Sequence, residues 1–190
     1  MTLPNQLTLL RLALTVIFVV AVTSQIPYGA TLAFGLFLVA TLTDYLDGAL
    51  ARRLGQITDF GKLMDPLTDK VLTASAFVCL IPLGAIPAWA VIVIIAREFL
   101  ITGLRTLASS KGVVIPADKL GKHKTAWQMI TIIFFLGFLA LKEWPQVFSA
   151  RAAAFAWNTL GPVLVGLTVF LTIYSGAAYL WKNRALIEVR

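Results

Sequence analysis

Four stretches of this chain carry no charged side chain: Leu12 to Thr43, Val71 to Ala96, Thr125 to Leu141 and Ala152 to Trp181. A bilayer span needs about 20 consecutive, predominantly apolar residues. These stretches therefore hold several membrane spans rather than one buried core helix. The whole composition agrees. The chain has 190 residues, of which 59% are hydrophobic and 13% charged, with a mean hydropathy of +0.87. Such values lie far from those of a soluble globular domain.

The first stretch is too long for one span, and Gln25-Ile26-Pro27-Tyr28-Gly29 supplies a natural break. This reading gives an all-α bundle of six transmembrane helices, covering about Leu9–Ser24, Ala30–Arg52, Gly61–Ile81, Pro87–Ala108, Leu120–Leu141 and Ala154–Trp181. It forms a single membrane domain over residues 1–190, with no internal repeat. Before the first span, Pro4-Asn5-Gln6-Leu7-Thr8-Leu9-Leu10-Arg11 reads as a short N-terminal interfacial helix with an apolar side and a terminal arginine. The start lacks a positive region followed by an apolar run and a small-residue cleavage site, so no cleavable signal peptide is expected.

In this arrangement one side of the membrane holds most of the basic residues, among them Arg52, Arg53, Lys62, Lys70, Arg105, Lys111, Lys119, Lys122, Lys124, Lys182, Arg184 and Arg190. The other side holds Lys142 and Arg151. Positive charge accumulates on the cytoplasmic side, so both termini and the loops after the second and fourth spans are expected there, in a multi-pass cell (inner) membrane protein. The net charge of +7 then reports topology and contact with anionic membrane lipids, and nucleic-acid binding is not expected. The single cysteine, Cys79, lies in an apolar run and reads as a buried small hydrophobe.

Five of the nine acidic residues fall between Asp44 and Asp69. An ionisable side chain in a membrane helix normally faces a polar cavity and has a partner. Asp44 and Asp47 are three apart, and Asp65 and Asp69 four apart, so each pair shares a helix face. The short connection between the two helices makes them antiparallel neighbours whose pairs can face each other. Four carboxylates at one point repel unless something positive lies between them. Hard divalent cations with oxygen ligands, Mg2+ or Mn2+, supply that charge, and two such ions could clamp a diphosphate during an in-line displacement. Gly48 and Ala51 continue the face of Asp44 and Asp47 without bulk, allowing a nucleotide close to the backbone. Asp59, in the connection, reads as a cap or a solvated charge.

Written out, the segment is Asp44-Tyr-Leu-Asp47-Gly48-Ala-Leu-Ala51-Arg52, eight residues, then Gly61-Lys-Leu-Met-Asp65-Pro-Leu-Thr-Asp69. It resembles, without gaps, the D-x2-D-G-x2-A-R-x8-G-x3-D-x3-D signature of the CDP-alcohol phosphotransferase family. Three further segments are similar to the branch whose acceptor is sn-glycerol 3-phosphate. They are residues 4–11, Arg97-Glu98-Phe99 with Thr102-Gly103-Leu104-Arg105, and Gly121-Lys122-His123-Lys124-Thr125. The resemblance implies a homodimer of six-span protomers with a cytoplasm-facing polar cavity. It implies that Asp44, Asp47, Asp65 and Asp69 bind the metals and that Asp69 is also the general base. Gly48, Ala51, Arg52 and Gly61 would shape the CDP pocket, with Asn5 and Thr8 on the nucleotide side. The implied reaction joins CDP-diacylglycerol and glycerol 3-phosphate.

An anionic acceptor needs positive donors, and arginine can grip a phosphate in bidentate fashion. Together with the resemblance, this assigns Arg97, Arg105, Lys122 and Lys124 to the acceptor phosphate. Arg97 stands deeper in an apolar helix, where a charge needs a partner, and Glu98 is expected to pair with it or with another base. Tyr179 and Lys182, near the cavity mouth, are further candidates for contact with the acceptor. His123, between two lysines, reads as solvated rather than as a base. Trp89, Trp127, Trp144, Trp157 and Trp181 mostly fall near span ends, as an interfacial belt would place them. Two alternatives stay open: a family member with another acceptor, such as inositol phosphate or serine, and a divalent-cation transporter. The basic residues argue for a phosphorylated acceptor. The aspartates at one membrane face, with none in the other half, argue against an ion path.

Overall fold

The computed structural model describes residues 3–24, 26–54, 59–113, 115, 119–144 and 150–184, with side chains for 9–24, 26–43, 67–68, 70–113, 115, 120–144 and 153–184. The described residues are helical, with no strand among them. The elements are α1 (Leu3–Thr23), α2 (Gly29–Leu54), α3 (Asp59–Leu80), α4 (Ala88–Ser110), α5 (Lys119–Lys142), α6 (Ala150–Phe155), a π-helical turn (Ala156–Leu160) and α7 (Gly161–Lys182). Two helical stretches, Leu120–Lys142 and Ala153–Lys182, are long and apolar enough to cross a membrane. Large apolar side chains also point outward, with Ile92, Phe99, Val163 and Phe170 each more than 60% exposed. A lipid solvent accepts such a surface, whereas water penalises it.

α1 packs against α2 and α3, α2 against α5, α5 against α7, and α7 against α4. Phe18, Phe37, Leu72, Phe77, Ile132, Phe135 and Leu136 fill the centre, and the Phe18 and Phe37 rings lie 5.9 Å apart. Cys79 is buried, as expected. Lipid tails are as apolar as leucine, so close contact and polar bonds must hold membrane helices together. Between α5 and α7 a hydroxyl pair does so: Thr131 Oγ1 and Thr168 Oγ1 are buried 2.7 Å apart.

The turn between α1 and α2 is held from outside. Tyr28 adopts a positive φ of 59°, a strained conformation for a bulky side chain. Its ring packs 5.2 Å from Trp144, whose indole Nε1 donates to Thr31 Oγ1 at 3.2 Å. A Cβ on Gly29 would lie 2.9 Å from the Ala21 carbonyl oxygen, so only glycine lets the chain return this closely. The first amides of α2 have no acceptor within their own helix. Glu143, just past α5, provides one: its carboxylate accepts from the Ala30 and Thr31 N–H groups at 2.9 Å each and from Thr31 Oγ1 at 2.6 Å.

Burial pushes the Glu143 carboxyl up, but the hydrogen bonds from Thr31 and Ala30 outweigh it and hold the group below its ordinary value. A carboxyl lowered by folding stabilises the protein above its unfolded value, and that contribution is lost as pH falls through the lowered one. Glu143→Gln is therefore expected to lower the melting temperature in detergent micelles at neutral pH, through a loss of about 1–3 kcal/mol. The gap between parent and variant should close on acidification below the ordinary carboxylate range. A gap independent of pH would mean that the charge of Glu143 plays no part.

Three expectations change. Residues 4–11 are not a separate helix but the first turns of α1, because nothing after Pro4 breaks the helical path. The terminal arginine of that segment is likewise not interfacial: Arg11 is 1% exposed, inside the bundle. The last span is not uniform either, since a π-helical turn interrupts it just before Pro162. Proline offers no N–H to the preceding turn and its ring crowds the carbonyl four residues back, which a locally widened helix relieves. Of the tryptophans, Trp89, Trp144 and Trp181 are exposed near helix ends. Trp157 instead packs edge-on against Phe135, with centroids 5.5 Å apart.

Candidate active site

The aspartate segment spans two helices. Asp44, Asp47, Gly48, Ala51 and Arg52 belong to α2, Gly61, Asp65 and Asp69 to α3, and Asn5 and Thr8 to α1. Within unbroken helices, the i, i+3 and i, i+4 spacings keep each aspartate pair on one face. The side chains of these ten residues lie outside the described set. α1 packs against both α2 and α3, bringing together the three helices that carry them. Arg11 of α1 reaches Thr68 of α3, Nη1 donating to Oγ1 at 3.4 Å, one residue before Asp69. Both groups are buried.

The four basic residues assigned to the acceptor line one cavity of about 460 Å³ between α4, α5 and α7. Arg97 and Arg105 come from α4, Lys122 and Lys124 from α5. Arg105 is anchored by its Nε, which donates to Tyr179 Oη at 3.1 Å, with the guanidinium carbon 5.6 Å from the centre of the tyrosine ring. Lys122 is exposed. Glu98 bridges the two inner cations: its carboxylate accepts from Arg97 Nη1 at 3.4 Å and forms an ion pair with Lys124. Lys124 is almost wholly buried and lines the cavity while paired with Glu98. His123 is exposed, in keeping with a solvated role.

The cavity also includes residues that the sequence did not single out. Lys70 follows Asp69 on α3, lines the cavity and donates to Thr102 Oγ1 on α4. It therefore joins the helix that carries Asp65 and Asp69 to the basic cavity. Ser175 of α7 lines the same space and accepts from Arg97 Nη2 at 3.2 Å. A second cavity of about 400 Å³ shares Lys70, Glu98 and Thr102 with the first and is otherwise lined mainly by apolar groups, including Val71, Phe77, Ile94 and Phe99. A basic chamber thus adjoins an apolar one, an arrangement that suits an amphipathic substrate.

The model of the CDP-alcohol phosphatidyltransferase family matches residues 1–174. The chain belongs to this family. Among curated relatives, it is 39% identical to a Bacillus subtilis protein named CDP-diacylglycerol–glycerol-3-phosphate 3-phosphatidyltransferase, over 95% of this chain and 94% of the relative. A Rickettsia bellii protein of the same name is 32% identical over 93% of this chain and 92% of its own. A Mycobacterium tuberculosis protein named probable phosphatidylglycerophosphate synthase is 40% identical over 70% of this chain and 65% of its own.

Proposed function

We propose that this protein transfers the phosphatidyl group of CDP-diacylglycerol to sn-glycerol 3-phosphate, releasing CMP. The observation that carries the reading is the basic cavity, joined through Lys70 to the helix of Asp65 and Asp69. Its cations suit a phosphorylated acceptor better than serine and oppose the passage of a free cation. The named relatives, similar over nearly their whole length, support the same reaction.

In this reading Asp69 accepts the proton of the acceptor's primary hydroxyl. The hydroxyl oxygen forms a bond to the β-phosphorus, and the bond from that phosphorus to the CMP oxygen breaks. Arg105, Lys122 and Arg97 hold the acceptor phosphate, with Lys124 and Glu98 keeping Arg97 in place. Asn5, Thr8, Gly48, Ala51, Arg52 and Gly61 form the CDP side, and the apolar cavity takes acyl chain. Asp44, Asp47, Asp65 and Asp69 offer only carboxylate oxygens, a donor set that fits two Mg2+ or Mn2+ ions. When bound, such ions supply positive charge to the diphosphate. The protein is a six-span, single-domain homodimer of the cell membrane, its termini and active site cytoplasmic. The apolar exterior and the one-sided basic residues support that placement.

The test is acceptor choice. A charge-assisted hydrogen bond to phosphate contributes about 1.5–3 kcal/mol, or roughly ten- to hundredfold in affinity. Arg105→Ala should raise KM for glycerol 3-phosphate by that factor and leave KM for CDP-diacylglycerol nearly unchanged, as measured by acceptor-dependent CMP release. Equal damage to both substrates would place Arg105 outside the acceptor site. A parent enzyme that prefers an acceptor without phosphate would overturn the proposed reaction.

A further inference from the structure

Building on this acceptor reading, we infer that Ser175 and Gly176 of α7 are positioning residues that set where the Arg97 guanidinium stands in the basic cavity. Arg97 leaves α4 and passes directly over Gly176. A Cβ built on Gly176 would lie 3.0 Å from Arg97 Cγ, 3.6 Å from Nε and 3.9 Å from Cδ. The nearest atom is Cγ, at the root of the side chain. Rotating the tip cannot relieve the contact, and any shift at the root is carried outward to the guanidinium. Glycine inside a helix is destabilising by roughly 0.5–1 kcal/mol relative to alanine, so its use at this buried position has a packing reason.

Ser175 holds the far end. Arg97 Nη2 donates to its Oγ at 3.2 Å, while Ser175 Oγ donates to the Thr172 carbonyl at 3.2 Å. The hydroxyl hydrogen is thereby turned back along α7 and a lone pair faces Arg97. Nη1 is held on the other side by Glu98. With its stem against Gly176 and its two terminal nitrogens tied to Ser175 and Glu98, the guanidinium has one position. The second N–H of each terminal nitrogen remains for an anion.

Breaking one charge-assisted hydrogen bond between Arg97 and the phosphate costs roughly tenfold or more in acceptor affinity. Gly176→Ala should therefore raise KM for glycerol 3-phosphate about tenfold with KM for CDP-diacylglycerol unchanged, and Ser175→Ala should act in the same direction. Gly166→Ala is the control on the same helix, because a Cβ there meets nothing within 4 Å. The decisive comparison uses an Arg97→Ala background, in which Gly176→Ala should have no further effect on the acceptor because the side chain it would meet is gone. Melting temperatures of each purified variant separate misfolding from misplacement, and Ser175→Ala carries the test if Gly176→Ala does not fold. If Arg97→Ala leaves acceptor KM unchanged, the placement of Arg97 at the acceptor fails. If Arg97→Ala raises it but neither Gly176→Ala nor Ser175→Ala does, that placement stands and the positioning role is wrong. An equal further loss from Gly176→Ala in the Arg97→Ala background would likewise overturn the positioning role.

Discussion

Asp69→Asn is expected to reduce turnover by about 10²–10⁴-fold, the range for removing a general base, and by more where a weakened metal site adds to the loss. Asparagine keeps the size of the side chain and one carbonyl oxygen, but it cannot take up the acceptor's proton. Binding of the CDP-lipid should survive at least in part, because the residues proposed for the CDP side are others, on α1, α2 and α3. The informative partner is Asp65→Asn, one helical turn earlier on the same face. It should weaken metal binding without removing the base, so added metal should restore part of its rate but little of that of Asp69→Asn. Single-turnover CMP release at saturating substrates makes the comparison. Near-parent rates for Asp69→Asn alongside an inactive Asp65→Asn would reverse the two roles.

Complete loss of turnover is expected when divalent cations are removed with excess chelator, with recovery on adding Mg2+ or Mn2+. Four carboxylates gathered at one site would repel one another, and protonation or a cation is the only relief. At neutral pH the cation is the cheaper one for acids of ordinary strength. Chelation should also lower the melting temperature, since a ligand that binds the folded state stabilises it in proportion to its occupancy. Full activity in excess chelator would sink the metal assignment.

Much of the fold was legible because a bilayer makes few demands and makes them plainly. Loss of charge over about 20 residues marks a span, and the boundaries read from it at Ala30, Pro87, Leu120 and Leu141 fall within a residue or so of the helix ends observed. The basic cavity was legible through charge: Arg97, Arg105, Lys122 and Lys124 meet in one space, and Glu98 pairs with the two inner cations. What escaped depends on contacts between distant segments. Arg11 passed for an interfacial residue because its partner, Thr68, lies in another helix. The rule that a charge inside an apolar helix needs a partner was applied to Arg97 and would have served for Arg11 too. Lys70 passed for a topology marker because its role comes from α3 leaning on α4 at Thr102. Glu143 caps a helix more than a hundred residues earlier in the chain, a pairing that local pattern cannot supply.

The π-helical turn at Ala156–Leu160 lets the two parts of the last helix keep separate registers. A π turn accommodates one residue more than an α turn over nearly the same axial distance. Trp157 can thus face the aromatic cluster of α5 while Thr168, Ser175 and Tyr179 line up toward α5 and α4. A residue could therefore be added or removed on the Trp157 side of the turn without swinging Thr168, Ser175 and Tyr179 away from their partners.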